Sequence, residues 1–243
     1  MDEARGRRVG FVLAVLLIVA IAAIGIGVKS LYDARTVEKV SKPEVLPAQT
    51  SQASDALEGL LIKGRAPKTG YEREQFTSGW AEIDGCDMRN IILQRDLTNE
   101  KVATDGCVVV SGTLDDPYTG NTFDFKRGSA TSSAVQIDHV VALSNAWQTG
   151  AQSWDEFKRA QFANDPLNLL AVDGPTNQKK GDADAATWLP PNKDYRCRYV
   201  ARQIAVKRGY DLWVTQAEYD AMARVLSRCP AQILPIVTDE NTE

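Results

Sequence analysis

Histidine is almost missing from this sequence: residue 139 is the only one in 243. That scarcity excludes a zinc site built from two or three imidazoles. The four cysteines, Cys86, Cys107, Cys197 and Cys229, form no C-x-x-C pair that would substitute for them. A basic surplus is missing too. The 28 Lys and Arg stand against 32 Asp and Glu, a net charge of −4, which argues against a protein that binds nucleic acid through its overall charge. No internal repeat at the ~20–50-residue periods of solenoids is visible, so a stacked-repeat architecture is excluded as well.

What is present is unevenly placed. The C-terminal "TDENTE" carries only acidic charge, whereas Lys126, Arg127, Lys158, Arg159, Lys179, Lys180 and the stretch Arg196–Arg208 make a locally cationic region. Such a region can hold phosphate inside an acidic whole. Near the N-terminus, Val9 to Val28 contains no charged or strongly polar residue. At about 1.5 Å per residue that run spans the roughly 30 Å hydrocarbon core of a bilayer. Its small residues, Ala20, Ala22 and Ala23, lie inside the run rather than after it, which favours an uncleaved anchor over a cleaved signal peptide. Basic residues flank both ends and leave the orientation undecided. The widely spaced, even set of cysteines fits two disulfides in an oxidising compartment. The expectation is a single-pass cell-membrane protein held through residues 9–28, its C-terminal domain extracytoplasmic, or secreted if the segment is cleaved.

The same pass predicts four regions: an anchor over 1–30, a Pro/Ser/Thr/Gln-rich linker over 31–55, a folded domain over 56–230 and an acidic tail over 231–243. Within the domain, Asn90 to Leu97 reads as a short helix or a strand, and Cys107 to Leu114 as a strand. "DDPYTGN" reads as a turn and "TFDFKRG" as the partner strand. Two strand-like runs follow, "AVQIDHVVAL" and "NLLAV", with a helical insertion between them. After the second comes a turn, "DGPT", with Thr176 as the helix-start residue, and "WLPP" further on reads as a helix end. The last quarter reads as two helices, one stopping at Gly209 and one opening on a Thr215/Glu218 capping box. Cysteine placement pairs Cys86 with Cys107 and Cys197 with Cys229. Trp147, Trp154, Trp188 and Trp213 read as packing residues rather than base-stacking platforms.

Cleaving a phosphodiester needs a base for water, a divalent cation against the phosphate charge, and donors that hold the backbone. His139 is the candidate base, since an imidazole is mostly neutral at pH 7. Asp138 offers a carboxylate and Asn177 an amide oxygen to a hard cation such as Mg²⁺, with Mn²⁺ as the alternative. Lys179 and Lys180 beside the helix start are candidate phosphate contacts. Taken alone, one histidine in an apolar strand reads as a structural residue. The order of strand, strand and helix around it changes that reading.

Asp138-His139 on one strand, Asn168 in "PLNLLAV" and Asn177 in "TNQKKGD" resemble the ββα-metal site of HNH endonucleases, in the variant whose last histidine is asparagine. Together with "DPYTG", "VQIDHVVALSNAW", "WLPP" and "YRCRYV", residues 56 to 230 are similar to exported bacterial HNH endonuclease family proteins. These are related to the C-terminal domain of GmrSD-type restriction enzymes. The resemblance implies an α+β fold with a ββα-metal (His-Me finger) core, a helical insertion and a C-terminal helical pair. It implies a metal-dependent endonuclease with His139 as general base, Asp138 and Asn177 as metal ligands, and Asn168 bracing the loop that presents the histidine. Nucleic acid is the implied partner, DNA ahead of RNA. It assigns no role to Arg89 or Tyr118. The competing readings are a non-catalytic surface module of the same fold, and a phosphodiesterase acting on RNA or a small phosphoester.

Overall fold

The computed structural model describes residues 51–235, so the apolar run 9–28, most of the linker and the end of the acidic tail lie outside the described residues. The fold is mixed α+β, with the β-structure in small antiparallel sheets. A short helix, α1 (Ala53–Glu58), opens it, followed by a two-residue ribbon, β1 (Glu82–Ile83) and β2 (Cys86–Asp87). Gln52 bridges to Ile233, so ordered backbone extends on both sides of the 56–230 span.

The ambiguous stretch after Cys86 is a helix, α2 (Met88–Asp96), because Asp87 caps it by accepting from the Asn90 amide. It buries Met88, Ile92 and Leu93. A three-stranded sheet follows: β3 (Thr98–Val102), β4 (Val109–Asp115) and β5 (Thr122–Lys126) in spatial order. The Cys86–Cys107 disulfide ties the ribbon to the β3–β4 connection.

The centre is a two-stranded antiparallel ribbon, β6 (Val135–His139) and β7 (Leu169–Asp173). Its alternation explains its burial. Val135, Ile137, Leu169 and Ala171 pack on the α2 side, whereas Leu170 and Val172 pack toward the C-terminal helices. Both faces are covered, which is why the runs read as continuously apolar. The insertion between the strands holds α3 (Leu143–Gln148) and α4 (Glu156–Ala163). Its apolar side is an aromatic cluster of Phe76, Trp147 and Phe162, with Trp154 and Tyr210 packed against it.

Helix α5 (Gly174–Lys180) follows β7 directly. Its cap is Asp173, which accepts from the Thr176 amide and hydroxyl, so Thr176 lies inside the helix instead of opening it. Gly174 sits so close to the backbone of Ser133 that an added Cβ would lie 2.1 Å from the Ser133 carbonyl oxygen. Only glycine lets α5 pack this tightly on the entry to β6. "WLPP" ends no helix; it lies in irregular chain beyond α5, and Trp188 packs edge-on against Tyr118.

The chain closes with α6 (Arg196–Gly209) and α7 (Gln216–Leu226). Cys197, in α6, bridges to Cys229, which lies just past α7 rather than within it. Half of the capping box forms: Thr215 accepts from the Glu218 amide at 3.1 Å. The Glu218 carboxylate turns inward to Lys207 instead.

Candidate active site

Strand alternation sends Asp138 and His139 to opposite faces, but β6 ends at His139. Both residues line one cavity of about 540 Å³, which Asn177 also lines. The backbone leaving the strand is clamped by Asn168, which has no exposed surface. Its Oδ1 accepts from the Val141 amide at 2.8 Å, its Nδ2 donates to the Val141 and Phe162 carbonyls, and its own carbonyl accepts from Val140. One amide side chain thus ties the chain just after His139 to the end of α4.

His139 is buried, with Nε2 2.9 Å from the Ala163 carbonyl oxygen. A carbonyl can only accept, so Nε2 carries the hydrogen and Nδ1 the lone pair. The indole of Trp80 stacks on the imidazole, ring centres 6.0 Å apart and 13° from parallel. Burial, assisted by the charges of Arg73 and Lys180 and opposed by the Ala163 bond, lowers the His139 pKa to about 3. The neutral ring is therefore what folds. Between pH 6.5 and about 3 the unfolded chain takes up the proton first. Stability from this group is full above pH 6.5 and falls as the pH drops through that window, by about 1.4 kcal/mol per unit. Since the chain has no other histidine, urea denaturation of wild type and His139→Gln isolates it. Wild type is expected to lose roughly 2–3 kcal/mol more than the variant between pH 7 and 4.5; parallel curves would contradict the burial of a neutral imidazole.

Asp138 is held from two sides. Lys180 Nζ donates to its Oδ1 at 2.9 Å, and the Tyr118 hydroxyl donates to Oδ2. Lys180 also donates to the His139 carbonyl at 2.8 Å, so it fixes both residues of the pair. Burial pushes the Asp138 carboxyl up, against the pull of Lys180 and Tyr118 toward the carboxylate. Tyr118 stays protonated because burial and the neighbouring Asp138 raise it well above its ordinary value.

The expectation of phosphate contacts at Lys179 and Lys180 is corrected here. The Lys180 side chain has no exposed surface and points into the protein, and Lys179 is exposed but does not line the cavity.

Asn177 lies in the middle of α5 rather than at its first residue. Its Nδ2 donates to Gln136 Oε1 at 3.0 Å, which orients the amide and leaves Oδ1 unengaged among the described residues. Each Asp138 oxygen takes one donor and keeps a second lone pair. These are the oxygens of the two residues that keep acceptor capacity, the donor type a hard divalent cation takes. Among the described residues no cluster of three or more His, Cys, Asp or Glu forms a metal cage.

The cations of the cavity are Lys68, paired with Asp182 at 2.8 Å, Arg89, which donates to the Ser132 and Val135 carbonyls, and Arg73. They come from the start of the domain, and no spacing relative to the Asp-His pair marks them. Trp80, the fifth tryptophan, was equally silent. The cationic region expected over residues 126–208 is instead largely engaged in structure. Arg127 donates to the Val109 carbonyl, Arg202 to the carbonyls of Pro166, Leu167 and Leu169, and Lys207 to Glu218.

With this geometry in place, comparison with known proteins defines the class. Residues 87–225 match the family described as GmrSD restriction endonucleases, C-terminal domain, and the chain belongs to that family. Membership points to a nuclease-related function, nucleic acid as the partner and dependence on a divalent metal. The chain is also 42% identical over 194 residues to an uncharacterized secreted protein of the fungus Arthroderma benhamiae, covering 78% of this chain and 90% of the relative. No solved structure matches.

That relative corrects the expected location. The apolar run 9–28 predicts a single-pass membrane anchor, yet this relative is secreted. No helix among the described residues is long and apolar enough to cross a membrane, and residues 9–28 lie outside them. An N-terminal apolar run is common to anchors and export signals, and the secreted relative favours the export reading. The relative is fungal, so it supports the GmrSD-type relationship without supporting a specifically bacterial one.

Proposed function

We propose that this protein is a secreted, metal-dependent endonuclease whose β6, β7 and α5 form a ββα-metal site within a domain spanning about residues 56–230. The observation that carries the reading is the meeting of His139, Asp138 and Asn177 in one cavity whose other charged walls include Lys68, Arg73 and Arg89. The two disulfides suit an extracellular location.

His139 takes the proton of a water through Nδ1, while Nε2 stays bonded to Ala163. The water oxygen attacks phosphorus, the phosphodiester P–O bond breaks, and the leaving oxygen is protonated from solvent. Asp138 and Asn177 Oδ1 would hold a divalent cation, Mg²⁺ or Mn²⁺, which supplies charge neutralisation at the phosphate. Lys68, Arg73 and Arg89 orient the anionic backbone, and an incoming phosphate beside His139 raises the depressed basicity of its ring toward the working range. Asn168 keeps the histidine turn rigid. DNA is the preferred substrate over RNA.

The cation assignment has its own test. Asn177→Ala is expected to raise the Mn²⁺ concentration needed for half-maximal cleavage by roughly 10–100-fold, a scale typical of damaged metal shells. An unchanged requirement would remove Asn177 from the site.

A further inference from the structure

A second cavity, of about 560 Å³, lies between the chain following α5 and the helices α6 and α7. Its floor includes Ala185, Leu189 and Val225, and its walls carry Lys193, Arg196, Arg224 and Arg228 against a single acid, Asp194. Arg196 donates through Nε to the Pro190 carbonyl. Lys193, Arg224 and Arg228 are exposed, and their side chains form no ion pair or hydrogen bond among the described residues. In a chain of net charge −4, three uncommitted cations around one concavity make a local positive field that the fold itself does not use. This contrasts with Arg127, Arg202 and Lys207, which bind their own protein.

The two cavities adjoin along the chain. Asp182 lines the first and Ala185 the second, and three residues reach at most about 11 Å even fully extended. Between them, Asp184 is neutralised by Arg65 at 2.5 Å, so no free carboxylate there repels an anionic strand. Nucleic acid advances about 3.4 Å per nucleotide in a duplex strand, so a strand of several nucleotides is long enough to reach from one cavity into the next.

We infer that the Lys193/Arg224/Arg228 groove is a second anion site that takes backbone phosphates of the nucleic acid a few nucleotides away from the bond in the first cavity. The inference rests on the endonuclease reading for its choice of ligand. The groove contributes affinity and length preference and takes no part in the chemical step.

The test uses the full chain and a labelled 20-nucleotide DNA strand with EDTA present, so that binding is read without turnover. The comparison is wild type, the triple variant Lys193→Gln/Arg224→Gln/Arg228→Gln, and Arg208→Gln as an exposed α6 control outside the groove. The triple variant is expected to bind about tenfold or more weakly and to flatten the slope of log affinity against log salt by about 2, whereas Arg208→Gln does neither. Cleavage of a trinucleotide by the triple variant should match wild type, while KM for the 20-mer rises. Triple-variant binding equal to wild type, or to the Arg208 control, overturns the inference, as does poly-glutamate competing as well as DNA. If wild type binds through the groove but cleaves nothing, the groove stands and the endonuclease reading falls. If cleavage is normal and the triple variant binds normally, the reverse holds.

Discussion

His139→Ala is expected to lower plasmid cleavage by about 10²–10⁴-fold, the range a positioned general base contributes. The fold supplies the positioning at some cost. The ring is buried, its Nε2 is committed to Ala163 and its face to Trp80, so Nδ1 is left as the only basic nitrogen of the only histidine. The variant removes that nitrogen without touching Asp138 or Asn177. Loss should therefore appear in kcat with little change in the cation concentration required. A melting temperature close to wild type separates lost chemistry from lost fold. If cleavage by a folded His139→Ala stays within a few-fold of wild type, another group activates the water.

Glu218→Ala is expected to cost about 3–5 kcal/mol of folding stability, although Glu218 is exterior to the cavity. The Lys207 and Glu218 side chains are both fully buried, 3.1 Å apart, and Lys207 also donates to Asn145 and to the Trp213 carbonyl. Burial pushes the Glu218 carboxyl up and Lys207 pulls it down. Deleting the carboxylate strands an ammonium between α6, α7 and the insertion. Replacing both partners, as in Lys207→Met/Glu218→Leu, should restore most of the loss, because a well-packed apolar pair is often as stable as a buried ion pair. Urea denaturation reads both. A single-variant loss below about 1 kcal/mol would mean that water reaches the pair in the native state.

Much of this architecture is legible in the residues, for identifiable reasons. The strands around "QIDHV" and "NLLAV" show as apolar runs because both faces of their ribbon are covered, and both cysteine pairs follow from their placement across neighbouring elements. The Asp-His pair by itself reads as structural, and only the order of strand, strand and helix around it directs attention to residues 138 and 139. Less was legible where long-range packing decides. Nothing in "TNQKKGD" tells Lys179 from Lys180, yet one is exposed and the other is the buried partner of Asp138. Tyr118, in "DPYTG", reads as a turn residue, but it is the second donor to that carboxylate. Trp80, Lys68 and Arg73 reach the cavity from some 60 residues upstream, a separation no local pattern encodes. The apolar run at 9–28 shows the converse limit: hydrophobic length identifies an export or anchoring segment without saying which.

The most direct test of the central claim is cleavage of supercoiled plasmid by the purified protein with Mg²⁺ or Mn²⁺, with and without EDTA. The account requires conversion to nicked or linear DNA with the cation and none once it is chelated. Cleavage that persists undiminished in EDTA, or no cleavage with either ion, would contradict it.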